Sequence, residues 1–337
     1  MHGYRARESE RLQNQARTLV ELLHGDTHYP PESTVLEAGC GVGAQTITLA
    51  QNSPDARVTS VDISAESLTE ARRRIDRAGL GNVTFQQADL FDLPFDAASF
   101  DHVFVCFVLE HLDDPVGALE ALGRMLRPGG SITVIEGDHG STSFHPENPA
   151  ARAAIACQIE LQARAGGDAL IGRQVYPLLA AAGFDRPQVL PRMVYVDASQ
   201  PELVDGFIHK TFTAMVEGVR EPAIAAGLID PESFDAGVAA LHRTAQPDGV
   251  FTYTFSKGSP TRPRRHTARP SDRRRRARKP IGDRARSVGE SCRGGARARE
   301  RRCQSMRWAV RSHSGSHSSA GFHSQEISWV RASSVNL

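Results

Sequence analysis

The sequence predicts a doubly wound α/β fold, in which helices cover both faces of a seven-stranded sheet. Short segments rich in β-branched residues, at 34–37, 58–61 and 132–135, alternate with helical patterns. The first segment runs directly into a glycine-rich loop at 39–43. The second ends in Asp62, which places a carboxylate at the carboxyl edge of the sheet, where such folds bind their ligands.

The predicted elements follow one another along the chain. Strands are expected at 34–37, 58–61, 83–90, 100–107, 132–135, 188–196 and 249–255. Helices are expected at 4–24, 44–50, 115–126, 149–165 and 174–182, and Leu68, Ala71 and Ile75 form a further helical stripe. Asp114 and Pro115 are typical of a helix start, and Pro128 and Gly129 of its end. The alternation predicts right-handed crossovers between parallel strands.

An insertion at 201–248 separates the sixth and seventh strands and is too long for a bare loop. Phe207, Phe212, Met215 and Val219 recur at helical spacing within it. We expect a helical lid over the substrate cleft, with additional core packing as the alternative.

Two ligand classes compete for the glycine loop: dinucleotides and S-adenosylmethionine, which carries no phosphate. Glu37 lies two positions before Gly39, where its carboxylate would repel a pyrophosphate but would accept hydrogen bonds from an ammonium group. Gly39, Gly41 and Gly43 have G-x-G-x-G spacing. Ala44 also allows the dinucleotide pattern, so the glycines alone leave both ligands open.

Later segments continue the pattern in order and resemble the class I S-adenosylmethionine-dependent methyltransferases. They are Asp62, residues 83–90, residues 100–107 and the turn into the fifth strand at 126–136. The resemblance implies a Rossmann-like sheet, methyltransferase activity and S-adenosylmethionine as the cofactor.

The resemblance also implies a cofactor site. Its expected members are Glu37, Gly39, Cys40, Gly41, Gly43, Asp62, Ile63, Ala88, Asp89, Leu90 and Cys106. Asp62 would bind both ribose hydroxyls, Asp89 would bind the adenine amino group, and Leu90 would pack on the adenine ring.

Methyl transfer requires an acceptor held in line with the methyl group, and a base where the acceptor must lose a proton. His139 is the first candidate for this base, and we expect Glu136 and Asp138 to orient it or to raise its pKa. His111 and Glu136 are the other candidates, and His145 lies nearby in sequence. The alternatives are a loop-organising role for His111 and a polar loop position for His139.

The acceptor is expected to be a small molecule of quinone or secondary metabolism, methylated at oxygen, nitrogen or carbon. The fourth strand ends in Cys106-Phe107-Val108-Leu109 and lacks the Asn/Asp-Pro-Pro-Tyr/Phe pattern of enzymes that methylate amino groups of bases. An apolar acceptor pocket, with core packing as the alternative, could use Phe107, Phe144, Tyr176, Met193, Tyr195 and Phe207. Similar methyltransferases often close the N-terminal region over the cofactor, so Tyr4, Arg7 and Gln13 are candidates to line the cleft.

Charge divides the chain into residues 1–258 and 259–337. The second part holds 20 basic and five acidic residues, a formal net charge of +15, and the first has a net charge of −14. We therefore expect a methyltransferase domain at 1–258 and an Arg/Ser-rich disordered tail at 259–337, because the tail has too few large apolar residues to fold alone. A nucleic-acid arm and a shifted reading frame are the other interpretations of the tail, and the arm is disfavoured.

Five cysteines without C-x-x-C spacing favour neither a zinc site nor a disulfide framework, so no metal is expected. No apolar run approaches transmembrane length, and we expect a cytoplasmic protein without a membrane span.

The sequence leaves open whether the protein forms a homodimer. Three other functions remain: an RNA or protein methyltransferase, a non-catalytic S-adenosylmethionine-binding regulator, and NAD-dependent redox chemistry, which Glu37 disfavours.

Overall fold

The computed structural model describes residue 11, residues 15–16 and residues 18–262. The predictions for Tyr4, Arg7 and Gln13, and for the basic segment from 263 onward, lie outside the described residues.

One mixed sheet organises the fold. Its strands are β1 (Thr34–Ala38), β2 (Arg57–Asp62), β3 (Val83–Gln87), β4 (Phe100–Cys106), β5 (Leu126–His145), β6 (Val189–Asp197) and β7 (Val250–Gly258). They form a 7-stranded sheet in the order β3-β2-β1-β4-β5-β7-β6. Strands β1 to β4 and the first part of β5 pair in parallel, and β7 runs antiparallel to β5 and β6. The predicted doubly wound α/β fold is confirmed.

Helices connect most of the strands. They are α1 (Val20–His24), α2 (Thr46–Asn52), α3 (Ala65–Arg77), α4 (Pro115–Met125), α5 (Pro149–Arg164), α6 (Val175–Ala181), α7 (Pro201–Leu203), α8 (Ala214–Gly218), α9 (Arg220–Ala225) and α10 (Pro231–Arg243). Short 3₁₀ turns span Leu109–His111 and Ile171–Gln174, and a π-helix spans Val204–Thr213. Asp114 caps α4 as predicted, since its carboxylate accepts the Gly117 N–H at 2.8 Å. Over the described ranges, no helix has both the length and the apolar character needed to cross a membrane.

The N-terminal segment is helical where it is described. Gln15, Ala16 and Thr18 have helical conformation ahead of α1. Ala16, Leu19 and Leu23 are buried, as the amphipathic pattern predicts. This apolar face packs the segment against the sheet core.

Strand β5 is longer than predicted. The sequence pattern ends the strand near Glu136, but β5 spans 20 residues. Its parallel pairing with β4 ends at the Cys106–Ile135 pair, whereas its antiparallel pairing with β7 on the other side runs from Val134 to His145. A register shift between Asp138 and Ser143 interrupts this pairing. Residues 136–140 therefore lie within a strand and not in a loop after it, because β7 provides hydrogen-bond partners that single-segment periodicity cannot reveal.

The insertion at 201–248 is helical, as predicted, and contributes heavily to the core. Phe207 is 1% exposed, and its ring centroid lies 6.1 Å from that of Phe251 and 6.3 Å from that of Phe255 on β7. Phe212 packs against Phe251 at 4.9 Å. Core packing thus accounts for these side chains. The lid over the cleft stays a prediction.

Candidate active site

The glycine loop follows β1 and faces open space at its centre. Gly43 has a φ of +77°, and a Cβ there would lie 2.9 Å from the Cβ of Ala71 on α3, so only glycine lets the loop pack on this helix. Gly41 has a φ of +52°, and a Cβ there would meet no atom within 4 Å. A ligand can therefore approach the backbone closely at Gly41.

Glu37 is buried beneath this loop. Its Oε2 accepts hydrogen bonds from the Thr46 hydroxyl at 2.8 Å and from the Ser60 hydroxyl at 2.5 Å. Burial nevertheless raises the pKa of Glu37 to about 7. A cation beside this carboxyl group would favour its ionised form, as the predicted contact with a ligand ammonium group requires.

Asp62 ties the glycine loop to the end of β2. Its Oδ2 accepts the Gly41 N–H and its Oδ1 accepts the Ser64 N–H, each at 2.8 Å. Burial raises the pKa of the Asp62 carboxyl group. The loop-holding role was missed from sequence, whereas the ribose contact stays a prediction and is compatible with the lone pairs that each carboxylate oxygen retains.

The other predicted cofactor residues also lie at the carboxyl edge of the sheet. Ile63 follows β2 and is 51% exposed. Asp89 follows β3 and is exposed, and its Oδ1 accepts the Phe91 N–H at 2.9 Å. Leu90 is half-buried beside it. These positions suit an adenosine moiety lying along the ends of β2 and β3.

Small buried residues complete this edge. Ala88 donates its N–H to the Asp62 carbonyl at 3.1 Å. Cys40 and Cys106 are buried, and burial raises the pKa of both thiols. Both thiols are therefore neutral and packed in the interior, and their expected place in the cofactor site stays a prediction.

A cavity of about 440 Å³, counting its open mouth, lies beyond the end of β4. Its polar walls include Arg11, Glu110, His111, His139, Gln162 and Tyr253. Phe107, Met215 and Phe255 supply apolar walls. Two predicted base candidates, His111 and His139, therefore line one cavity.

His139 makes contacts at both ring nitrogens. Its Nδ1 lies 3.0 Å from the Tyr253 hydroxyl oxygen, and its Nε2 lies 3.8 Å from Oε2 of Glu110. Burial lowers the pKa of His139 and outweighs the raising effects of Glu110 and Asp138. Asp138 acts to raise this pKa as expected, whereas the net direction of the shift is set by burial. Asp138 is also paired with Arg173 through two hydrogen bonds of 2.8 Å.

Glu110 lies between the two histidines. Its Oε1 is 3.6 Å from Nε2 of His111, and its Oε2 faces His139. Gln162 on α5 donates its amide N–H to Oε2 of Glu110 at 3.2 Å, and Gln158 donates to Oε1 of Gln162 at 3.0 Å. A polar network therefore fixes the Glu110 carboxylate at the cavity wall.

Glu136 holds the turn that follows β4. It is fully buried, and its Oε1 accepts the N–H groups of Val108 at 3.0 Å and Leu109 at 2.8 Å. Burial, with Glu110 nearby, raises the pKa of Glu136 well above its ordinary value. A neutral carboxyl group is a poor proton acceptor, so the geometry favours a structural role for Glu136 over the predicted basic one.

Part of the predicted acceptor pocket is wrong. Phe107 lines the cavity, but Tyr176, Met193 and Tyr195 are 55%, 59% and 46% exposed and lie outside it. Met193 and Tyr195 lie on the outer face of β6, because successive side chains alternate and Val194 and Val196 occupy the buried face. Phe144 and Phe207 belong to the core. His145 is exposed and pairs with Val250 at the far end of β5, away from the cavity.

Several cavity residues were missed from sequence, although signals existed. Glu110 directly precedes His111. Tyr253 shares the inward face of β7 with Phe251 and Phe255, as strand alternation requires. Gln158 and Gln162 are spaced i, i+4 on the buried side of α5, where polar side chains need partners.

Buried carboxyl groups lie at the carboxyl end of β1 and just beyond the parallel part of β5. Burial raises the pKa of Glu37 to about 7 and that of Glu136 well above its ordinary value. A sulfonium or ammonium group beside Glu37 would favour the ionised form of that carboxyl group. Within the described ranges, no group of three or more His, Cys, Asp or Glu residues is placed to hold a metal ion.

Comparison with known proteins agrees with this geometry. The family model for a methyltransferase domain matches residues 35–130. A 37.1 kDa protein of transposon Tn4556 from Streptomyces fradiae is 35% identical over 213 residues, which are 62% of this chain and 60% of that protein.

Two further relatives have specific names. The 27-O-demethylrifamycin SV methyltransferase of Amycolatopsis mediterranei is 33% identical over 134 residues, 40% of this chain and 49% of that protein. The demethylmenaquinone methyltransferase of Clavibacter sepedonicus is 39% identical over 102 residues, 30% of this chain and 40% of that protein. The chain thus spans 60% or less of the length of these three relatives. The predicted resemblance to S-adenosylmethionine-dependent methyltransferases is confirmed.

Proposed function

We propose that this chain, which carries a methyltransferase domain at residues 35–130, transfers a methyl group from S-adenosylmethionine to an oxygen, nitrogen or carbon atom of a small acceptor. One observation carries the proposal: the glycine loop and the cavity share a wall. A Cβ at Gly39 would lie 2.6 Å from Cγ2 of Val108, and the neighbouring residues Phe107 and Glu110 line the cavity. A cofactor on the loop would therefore lie next to the cavity.

The residues present suit this cofactor. Glu37 would accept hydrogen bonds from its ammonium group, Asp62 from its ribose hydroxyls, and Asp89 from its adenine amino group. The cofactor would supply an activated methyl group on a sulfonium. The protein would exclude water and hold the acceptor in line with that methyl group.

A small-molecule acceptor is supported by the cavity and by the relatives. The cavity has both polar and apolar walls, as small-molecule sites do. The two specifically named relatives are named for demethylrifamycin SV and demethylmenaquinone. By analogy with these two relatives, we propose that this chain acts in secondary or quinone metabolism. The net charge of −14 on residues 1–258 argues against a nucleic-acid substrate.

Calorimetry on the full chain tests the cofactor. We expect S-adenosylmethionine to bind with micromolar affinity and NAD not to bind. Methyl transfer is then measured from radiolabelled cofactor to phenols, amines and activated methylene compounds. Binding of NAD alone would overturn the proposal. Binding of S-adenosylmethionine without transfer to any acceptor would favour the regulatory alternative.

A charge-matched pair of variants locates the site. Asp89→Asn retains an Oδ1 acceptor for the Phe91 N–H but replaces the oxygen that would face adenine. We expect roughly tenfold weaker cofactor binding from Asp89→Asn. Asp76→Asn removes one exposed charge on α3, away from the carboxyl edge, and should leave binding unchanged. Equal binding by both variants would remove Asp89 from the site.

A further inference from the structure

Tyr253, His139 and Glu110 form a chain of three groups along one wall of the cavity. The Tyr253 hydroxyl lies 3.0 Å from Nδ1 of His139, and Nε2 of His139 lies 3.8 Å from Oε2 of Glu110. All three residues line the cavity. The order of hydroxyl, imidazole and carboxylate is one that can move a proton away from a reacting group.

Each member of this chain is held in place. The Tyr253 ring is 2% exposed and packs against Phe255 at 4.7 Å and Phe212 at 5.7 Å between ring centroids. The backbone N–H of His139 donates to the Ala169 carbonyl at 2.9 Å. Gln162 holds the carboxylate of Glu110. Little reorganisation would accompany proton movement along these groups.

The arrangement fixes which atom of Tyr253 can face an acceptor. Burial raises the pKa of Tyr253 well above its ordinary value, so its hydroxyl is neutral. Burial lowers the pKa of His139, so its imidazole is neutral near pH 7. Glu110 lies 3.8 Å from Nε2 and favours a proton on that nitrogen, and in this tautomer Nδ1 accepts the Tyr253 proton. The Tyr253 oxygen also accepts the Asp138 backbone N–H, which leaves one lone pair to accept a proton from a ligand.

We propose that Tyr253, His139 and Glu110 are a proton relay for a hydroxyl acceptor, so that the methylated atom is oxygen. This inference rests on the methyl-transfer function proposed above. Tyr253 would be the catalytic residue that touches the acceptor, and His139 and Glu110 would act through it.

The proposed step balances. The acceptor hydroxyl donates its proton to the Tyr253 oxygen while the Tyr253 proton passes to Nδ1 of His139. The acceptor oxygen forms a bond to the methyl carbon as the bond from that carbon to the cofactor sulfur breaks. The products are a methyl ether, a neutral thioether and an imidazolium at His139, beside the carboxylate of Glu110. The positive charge of the sulfonium is thus replaced by that of the imidazolium.

The relay favours oxygen over nitrogen or carbon. A neutral hydroxyl oxygen is a weak nucleophile until its proton moves, whereas a neutral amine attacks without losing a proton first. A C–H group is a poor hydrogen-bond donor to the Tyr253 oxygen. Arg11 also lines the cavity, and its positive charge would stabilise the negative charge that develops on the acceptor oxygen.

The pH dependence follows from the groups that face His139. These are Tyr253, Glu110, His111, Asp138 and Arg11. The relay needs neutral His139, so methyl transfer should fall as the pH falls through the His139 pKa, which lies below its ordinary value of about 6.5. Glu110 acts to raise that pKa. Removing the Glu110 charge should therefore move the acid limb of the profile to lower pH and lower the plateau.

The test uses the full chain, S-adenosylmethionine and a series of phenols of graded acidity beside matched benzylamines. For phenols with a pKa near 10, Tyr253→Phe should lower kcat by about 100-fold or more, with KM and cofactor affinity within about threefold of wild type. The loss should shrink below about tenfold for nitrophenols, which are already ionised at the assay pH and need no relay. Tyr195→Phe, on the exposed face of β6, is the matched control and should change nothing.

Two results would overturn the relay while the proposed function stands: an equal loss for all phenols in Tyr253→Phe, or transfer to the benzylamines alone with cofactor still bound. If the wild-type chain does not bind S-adenosylmethionine, the proposed methyl-transfer function is itself overturned. If Tyr253→Phe does not fold, the pH profile of methyl transfer to phenols is measured in Glu110→Gln. A shift of the acid limb of that profile to lower pH supports the relay, and an unshifted profile overturns it.

Discussion

Gly137 and the hydroxyl of Tyr253 occupy adjoining space, and no side chain could be added at position 137 without displacing that hydroxyl. A Cβ built at Gly137 would overlap the Tyr253 oxygen. Gly137 lies on β5 opposite Phe255, two residues along β7 from Tyr253. The missing side chain at 137 is therefore what lets the Tyr253 hydroxyl reach Nδ1 of His139.

Gly137→Ala should lower methyl transfer to phenols by about 100-fold while leaving cofactor affinity within about threefold of wild type. The added methyl group pushes the Tyr253 hydroxyl out of its hydrogen bond with His139, and small misplacements of catalytic groups have effects of this size. Steady-state kinetics and calorimetry measure the two quantities. Gly81→Ala is the matched control, because a Cβ at Gly81 would meet no atom within 4 Å. Full activity in Gly137→Ala would show that the hydroxyl position is not needed.

Glu37→Gln should weaken S-adenosylmethionine binding about 10-fold to 100-fold, because it removes the charge that faces the ligand ammonium group. The amide oxygen can still accept the hydroxyl protons of Thr46 and Ser60, so the fold should persist. Glu120→Gln, on the exposed side of α4, provides the charge-matched control for the calorimetry. Unchanged affinity in Glu37→Gln would contradict the ammonium contact.

The same variant should stabilise the cofactor-free protein at neutral and alkaline pH. Burial raises the folded pKa of Glu37 to about 7 from its ordinary value of 4.5. The stability that protonated Glu37 contributes is complete below pH 4.5 and is lost as the pH rises through about 7. Glu37→Gln does not titrate, so its free energy of unfolding should exceed that of wild type by up to about 3 kcal/mol above pH 7. Urea unfolding at pH 5 and pH 8 measures this, and an equal difference at both values would contradict the pKa assignment.

The sequence predicted those features that depend on residues close together along the chain. Local signals sufficed for β1, β2 and the Asp114 cap, because periodicity and capping act within a few residues. The extension of β5 was missed because β7, more than 100 residues away in sequence, provides its pairing partners. Tyr253 was missed for the same reason, since only that pairing brings its hydroxyl to His139.

The candidate site shows the same limit. Glu37 and Asp62 could be proposed from the sequence because their distance from the glycine loop matches a known pattern, and their contacts with a cofactor stay predictions. The sign of the His139 pKa shift was missed because a nearby carboxylate can be read from the sequence, whereas complete burial depends on packing by the insertion and β7. The basic charge after residue 262 is visible only in the sequence, since those residues lie outside the described structure.

Gly41→Ala and Gly79→Ala form a matched pair that separates ligand approach from backbone strain. Both glycines have positive φ, +52° and +68°, and a Cβ at either would meet no atom within 4 Å. Each substitution should therefore lower the free energy of unfolding by a similar amount, about 1–2 kcal/mol. Only Gly41→Ala should also weaken S-adenosylmethionine binding, by about 10-fold or more, because its methyl group enters the space above the loop. Equal binding by both variants would show that the ligand does not approach Gly41.

Phe207→Ala tests whether the insertion is part of the folded core or only a cover over the cavity. Phe207 is 1% exposed and contacts the rings of Phe251, Tyr253 and Phe255 on β7. Removing it should lower the free energy of unfolding by about 3–5 kcal/mol, the usual range for a buried phenylalanine. Met193→Ala, at a side chain that is 59% exposed, should change it by less than about 0.5 kcal/mol. Urea unfolding measures both variants. An insertion that only covers the cavity would unfold separately, so Phe207→Ala would then leave the main transition unchanged and add an earlier one.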